Sequence, residues 1–318
     1  MNSGELQDHL ENVSRTFALS ISYLEQPHKR HSTIAYLLCR IPDTIEDSKL
    51  TVQQKNDLLH TYYVTLGNRL DGSLFVSKVT DCSYVDSDDW DLVEKTEQIL
   101  DEFYTLDKEI QSIIQTWVLE MTTGMKRYVA RDTSHRGVNI QTQDDLQSYC
   151  YYVAGTIGNM IGELLEATYK SYEFTDTLRT HATQYGLFLQ EINVSKDVYE
   201  DYIEENTVYL PKTILESNGL SSNQEFLEQE MPIMSAVTTI LETTQSYAES
   251  AEKFLESVQT HTPDNYQGWA IPYELAIETR SEIHQSLADV PTKTPVKIDR
   301  EVVNDVVQRT AKPSLLSQ

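Results

Sequence analysis

Cysteine, glycine, proline and basic side chains are all in short supply in this 318-residue chain, and each shortage narrows what it can be. Three cysteines, Cys39, Cys82 and Cys150, are odd in number and far apart, with no CxxC pair. A disulfide framework and a zinc knuckle are therefore not expected, and a reducing, cytoplasmic setting fits. Eleven glycines and nine prolines leave few places for tight turns, which argues against a sheet-rich fold with many hairpins. Twenty-five Lys and Arg face fifty Asp and Glu, a formal net charge of −25, with acid spread from Asp8 to Asp305. Nucleic acid is excluded as a natural partner, and an anionic membrane surface would repel the chain at long range. No apolar run approaches the ~18 residues of a membrane-spanning helix. The start Met1-Asn2-Ser3-Gly4-Glu5 has neither the basic nor the apolar part of a secretory signal, so any membrane association is expected to be peripheral.

What is present is apolar mass. Nineteen Tyr, seven Phe and three Trp, with many Ile, Leu and Val, distinguish the chain from acidic disordered proteins. The excess acid then reads as a solvated surface, as in proteins that work in high salt, where counterions screen self-repulsion. Apolar residues recur at three- and four-residue intervals almost throughout, which predicts an all-α protein. Helices are expected over roughly 4–24, 30–47, 51–70, 90–101, 106–130, 143–169, 174–204, 211–216, 223–229, 231–259, 268–287 and 298–310. Loops are expected at 72–89 and 132–141, around Ser217-Asn218-Gly219, and at 291–295. Thr142 followed by Asp144 and Asp145 has the form of a helix N-cap. No stretch has linker composition, so residues 1–318 are read as one domain.

Two polar stripes stand out on apolar helices. Tyr36, Arg40, Asp43 and Asp47 follow at steps of four, three and four, with Glu46 beside them. Gln190, Asn193, Asp197 and Asp201 follow at three, four and four. One DxxxD pair in so acidic a chain is ordinarily a solvated surface feature. Two on otherwise apolar helices point to a shared interior. Carboxylates gathered there would raise one another's pKa unless divalent metal lay between them, and Mg²⁺ bridging carboxylates to a diphosphate fits that need. Arg15, Arg40, Lys196 and Lys212 are the cations that could meet the diphosphate, and with the metal they would stabilise it as a leaving group.

A third feature is the run Tyr149 to Gly162. Tyr149, Val153, Ile157 and Ile161 recur every four residues, serving either core packing or a lipid-lined pocket. Gly155, Gly158 and Gly162 are expected to let helices approach closely. Phe17, Tyr36 and Tyr149 could shield a carbocation with their ring faces, and Tyr149 could carry a proton. HExxH, P-loop, GxGxxG and GxSxG signatures are all missing.

Taken together, Ser14-Arg15-Thr16-Phe17, Arg40-Ile41-Pro42-Asp43-Thr44-Ile45-Glu46-Asp47, Tyr149-Cys150-Tyr151-Tyr152-Val153-Ala154-Gly155, Gly186-Leu187-Phe188-Leu189-Gln190 with Asn193, Asp197-Val198-Tyr199-Glu200-Asp201 and Trp269-Ala270-Ile271-Pro272 resemble the squalene and phytoene synthase family, and within it the squalene synthases of halophilic archaea. The match spans about residues 14–272. The resemblance implies an isoprenoid-synthase helical domain with a central cavity. It implies head-to-head condensation of two farnesyl diphosphates to presqualene diphosphate, then NADPH-dependent reduction to squalene. Asp43, Glu46, Asp47, Asn193, Asp197 and Asp201 would bind Mg²⁺. Ser14, Arg15, Arg40, Lys196 and Lys212 would meet diphosphate, and Tyr149 would be the acid/base residue. Phe17, Tyr36, Val153, Ile157, Ile161, Leu187 and Gln190 would line the substrate pocket. Arg15, Arg40 and Lys196, with Lys297 and Arg300 of the 291–318 segment, would face NADPH.

Three departures from the family pattern bear on the reduction. Lys196 stands where Arg is usual in squalene synthases, Asp299 interrupts Val296-Lys297-Ile298-Asp299-Arg300, and Asn206-Thr207-Val208-Tyr209-Leu210-Pro211 replaces an Arg-containing segment. A non-reductive dehydrosqualene or phytoene synthase therefore stays open, as does a non-catalytic helical assembly or binding protein on the same fold.

Overall fold

A computed structural model describes residues 3–82, 88–131, 137–138, 140–205, 207–220 and 226–311. The helices are α1 (Ser3–Val13), α2 (Arg15–Ser22), α3 (His28–Asp47), α4 (Val52–Gly67), α5 (Ser73–Thr80), α6 (Asp88–Glu94), α7 (Thr96–Tyr104), α8 (Lys108–Val129), α9 (Gln143–Cys150), α10 (Thr156–Thr168), α11 (Asp176–Lys196), α12 (Val198–Glu200), α13 (Lys212–Ser217), α14 (Glu230–His261), α15 (Pro263–Gln285) and α16 (Arg300–Thr310). The only strands among the described residues are β1 (Gly137–Val138) and β2 (Thr207–Val208), which pair in parallel. The all-α expectation holds.

Several boundaries move for identifiable reasons. The helix expected over 4–24 is two, because Ser14 adopts an extended backbone and its hydroxyl accepts from the Phe17 N–H (3.2 Å), capping α2 afresh. The stretch 72–89, expected as loop, contains α5, which starts after Gly72 at φ 89°, a conformation that favours glycine. Its inner residues Phe75 and Val79 are fully buried, so packing outweighs the polar flanks. Asp86 lies outside the described residues. The region 90–101 is split between α6 and α7, and part of the 132–141 loop is β1. The Thr142 cap is present, its hydroxyl accepting from the Asp145 N–H (3.2 Å). Pro42 lies buried within an unbroken α3.

Two long expected helices carry π turns. α9 and α10 are joined by a π turn at Tyr151–Gly155, and a second follows α12 at Asp201–Glu205. A π turn winds an extra residue into the helix, so the four-residue stripe from Tyr149 to Ile161 does not run straight. Val153 and Ile161 are buried and Ile157 partly so.

One hydrophobic cluster runs from Leu6 to Val296, with α11 packed against α10, α14 and α15. Glycine sets the closest approach. A methyl group on Gly158 would run into the Ala182 carbonyl of α11, and one on Gly186 of α11 into the Ala154 carbonyl. The backbones carrying Tyr149 and Asp197 therefore touch at two reciprocal points. At Gly155 the neighbour is Leu187 Cδ1, 3.0 Å from an added Cβ, and at Gly162 it is the Phe174 ring. All three cysteines are free.

Candidate active site

The first polar stripe lies on the C-terminal half of α3. Arg40 forms an ion pair with Asp43 one turn on, and its Nε donates to Asp89 Oδ1 of α6 at 3.1 Å. Asp89 falls at the end of the 72–89 stretch expected as loop and lies instead in α6. The Tyr36 ring lies 5.0 Å from that of Phe17. Burial pushes this phenol up to about 12 against the pull of Arg40. Ser14, Phe17, Tyr36, Arg40 and Asp43 thus lie along the facing parts of α2 and α3.

The second stripe breaks at Asp197, the C-cap of α11, although the 193–197 and 197–201 backbone bonds continue at 2.9 and 2.8 Å. Asp197 pairs with Lys196 at 3.0 Å. Asp201 is buried, Gln190 is half-buried, and Asn193 is exposed. Asn193 therefore stands farthest from the interior placement expected of it.

The two stripes meet. Burial, then the charges of Asp197 and Asp47, hold the Asp201 carboxyl well above its usual range. Asp47 is raised in the same way by burial, Glu205 and Asp43, with Arg40 and Lys55 opposing. Glu46, 7 % exposed, is raised by burial and by Asp47 and Asp43, and its Oε2 has no hydrogen-bond partner. Glu205 is pushed up to about 9 by burial, then by Asp201, Asp43 and Glu46.

Glu205 was not singled out from the sequence. Its signal is the spacing, four residues after Asp201, which an acidic stretch hides. The π turn at Asp201–Glu205 is the backbone feature that accompanies it, and such turns often occur at functional sites.

Tyr149 is buried beside this cluster, and Glu46, Asp47 and Glu205 all add to the burial that raises its phenol. Its ring stacks on Tyr209 with centroids 4.9 Å apart and meets Tyr128 edge-on at 5.1 Å. Tyr209 is a second residue to which sequence reasoning gave no role. Its own phenol is raised by burial, then by Tyr149 and Glu205.

The remaining expected residues lie apart. Arg15 is exposed in a groove with Gln7, Glu11 and Leu19. Lys212 pairs along its own helix with Glu216 at 3.7 Å. Lys297 and Arg300 are exposed just before and at the start of α16, and Ile298 between them packs against a small cluster of Ile271, Leu275 and Val306, against which Leu19 of α2 also packs. The C-terminal cations and the helix that Arg15 begins thus share α15 as a neighbour.

These groups suit a divalent cation. The donors are hard carboxylate oxygens that resist ionising together, and Glu46 Oε2 is a buried acceptor with nothing to accept from. Among the described residues, no three carboxylate, thiol or imidazole side chains stand close enough to grip one ion alone. An ion here would fill its shell with water and phosphate oxygens, as Mg²⁺ commonly does.

Fold and cluster together define an all-α protein whose raised carboxyls are drawn from α3 and from the π turn that follows α12. A squalene/phytoene synthase family model matches residues 10–302, and the chain belongs to that family. It is 26% identical over 281 residues to the squalene synthase of Schizosaccharomyces pombe, covering 87% of this chain and 58% of that protein. It is 28% identical over 280 residues to squalene synthase ERG9 of Saccharomyces cerevisiae, covering 85% and 59%. The chain thus spans less than two thirds of the length of these relatives. The structure of TcSQS in complex with the ligand BPH1237 superposes with a TM-score of 0.81 at 25% identity, over 96% of this chain and 85% of that one. A dehydrosqualene synthase structure superposes at 0.66 over 97% and 94%, a likeness of fold at 18% identity. No described helix is long and apolar enough to cross a membrane.

Proposed function

We propose that the chain, working as one catalytic domain, joins two farnesyl diphosphates head to head to give presqualene diphosphate and then reduces it with NADPH to squalene. The observation that carries this reading is the meeting of Asp43, Glu46 and Asp47 with Asp201 and Glu205 beside the buried Tyr149. Mg²⁺ held there would draw charge off the diphosphate as it leaves. Asp43, Glu46, Asp47, Asp197 and Asp201 are the metal-facing residues, and Glu205 joins them. Arg40 and Lys196 are cations already held next to Asp43 and Asp197, placed to turn to a diphosphate. Ser14 and Arg15 begin the neighbouring helix. Phe17 and Tyr36 present paired ring faces that suit a carbocation. Tyr149, kept neutral by its surroundings, is the acid/base group of the condensation.

For the reduction, Arg15, Lys297 and Arg300 supply exposed cations, on elements that neighbour α15, for the cofactor's phosphates. Asp299, at the N-cap of α16, places a negative charge among them. That observation favours a second reading, condensation without reduction to dehydrosqualene. Incubation with farnesyl diphosphate and Mg²⁺ in high salt, with and without NADPH, separates the two. Squalene formed only with NADPH is expected. A hydrocarbon unchanged by the cofactor would establish the non-reductive reading, and no diphosphate release from any prenyl diphosphate would leave a binding protein.

A further inference from the structure

Within the segment that departs from the family pattern, Thr207 to Pro211 is laced to the chain just ahead of the Tyr149 helix. Thr207 and Val208 pair with Gly137 and Val138, and beyond them the Lys212 and Thr213 N–H groups donate to the Ile140 and Gln141 carbonyls at 3.0 and 3.1 Å. This clamp fixes Tyr209, whose ring lies over Tyr149 at an interplanar angle of 21°. The Tyr209 hydroxyl donates to Glu205 Oε2 at 3.3 Å. Tyr128 closes the other side of Tyr149, anchored by its own hydroxyl to the Asp145 backbone oxygen at 3.0 Å.

We infer that Tyr209 is the positioning residue of Tyr149, tying the ring it stacks on to the carboxylate cluster through Glu205. The stack fixes the plane of the Tyr149 ring, and the bond from the Tyr209 hydroxyl to Glu205 fixes where its partner ring rests along that plane. A phenol so held keeps one orientation toward whatever occupies the carboxylate site. Aromatic stacking alone would tolerate one ring sliding over the other. The bridge to Glu205 does not.

The inference rests on the catalytic reading for its kinetic consequence, but not for its physical content. The test therefore has two arms. In the first, protein carrying ¹³Cζ-labelled tyrosine is compared by NMR with its Tyr209→Phe variant in the absence of substrate, the Tyr149 signal being assigned through Tyr149→Phe. A shift of the Tyr149 resonance is expected on loss of the Tyr209 hydroxyl, and an unmoved resonance overturns the inference whatever reaction the protein performs. Should Tyr209→Phe fail to fold by circular dichroism, Glu205→Gln alters the same bridge from its far end and is read in the same way. In the second arm, with farnesyl diphosphate and Mg²⁺, Tyr209→Phe should lower kcat about tenfold, the worth of one hydrogen bond, while KM stays within about twofold. Tyr149→Phe/Tyr209→Phe should be no slower than Tyr149→Phe alone. Additive losses, or a change in KM alone, would also overturn it. Absence of turnover in the unaltered protein counts only against the catalytic reading, and the NMR arm then decides.

Discussion

Arg40 Nε donates to Asp89 Oδ1 across 3.1 Å while the same guanidinium pairs with Asp43. One cation of the site is thus shared between α3 and α6, and Asp43 already has compensation before any ligand arrives. Asp47, Glu46, Asp201 and Glu205 remain short of positive charge, and their raised carboxyls record that shortage. Held so, they cost the fold stability that a metal ion would restore.

This shortage has a pH signature. A carboxyl whose pKa is higher folded than unfolded supports the fold below its unfolded value and withdraws that support as pH rises through the folded value. For Glu205, with a folded value of about 9, the window reaches across neutral pH. Glu191, buried between α11 and α14 and pushed up to about 8, acts in the same direction. His28, buried and lowered to about 3, acts oppositely, losing support only as pH falls below about 6.5, so it is silent above pH 7. Metal-free protein should therefore melt at lower temperature at pH 9 than at pH 7, with a slope of up to about 1.4 kcal/mol per pH unit for each group still titrating. Added Mg²⁺ should remove the cluster's share and leave that of Glu191. A Tm independent of pH between 7 and 9 without metal would speak against the electrostatics described.

The contact between the Tyr149 and Asp197 helices rests on missing methyl groups. Gly158→Ala and Gly186→Ala should each destabilise by about 1–3 kcal/mol, because each Cβ meets a backbone carbonyl that cannot step aside. Gly219→Ala has open space around it, so its effect comes from its positive φ alone. Thermal melts of the three variants check this. Equal, negligible losses at Gly158 and Gly186 would mean the helices can part without cost.

With a net charge of −25, self-repulsion should make the protein salt-dependent. Tm is expected to rise as monovalent salt increases from about 0.1 M, where the Debye length is about 10 Å, to about 1 M, where it is about 3 Å. A Tm that falls over that range would contradict the high-salt reading of the acidic surface.

Much of this was legible in the sequence because helical spacing is a local property. The stripes at Tyr36–Asp47 and Gln190–Asp201, the Thr142 cap and the small residues at Gly158 and Gly162 all depend on neighbours within two turns. What was not legible depends on distant partners or on an extra residue in a turn. Asp89 acquires meaning only through Arg40, and Tyr209 only through a two-residue strand pairing with Gly137–Val138. The two π turns gave no compositional sign, and they turn the helix enough to bend one expected stripe and to bring Glu205 into the cluster. Ser14 broke an expected helix because its hydroxyl competes for the Phe17 N–H.

The most direct test of the central claim is diphosphate release from farnesyl diphosphate as a function of Mg²⁺, in the unaltered protein and in Asp47→Asn and Asp201→Asn. Release should require Mg²⁺ and fall at least a hundredfold in each variant, with the metal-free variants melting no lower than the parent because a buried charge has been removed. Release that persists without Mg²⁺, or survives both substitutions, would contradict the account.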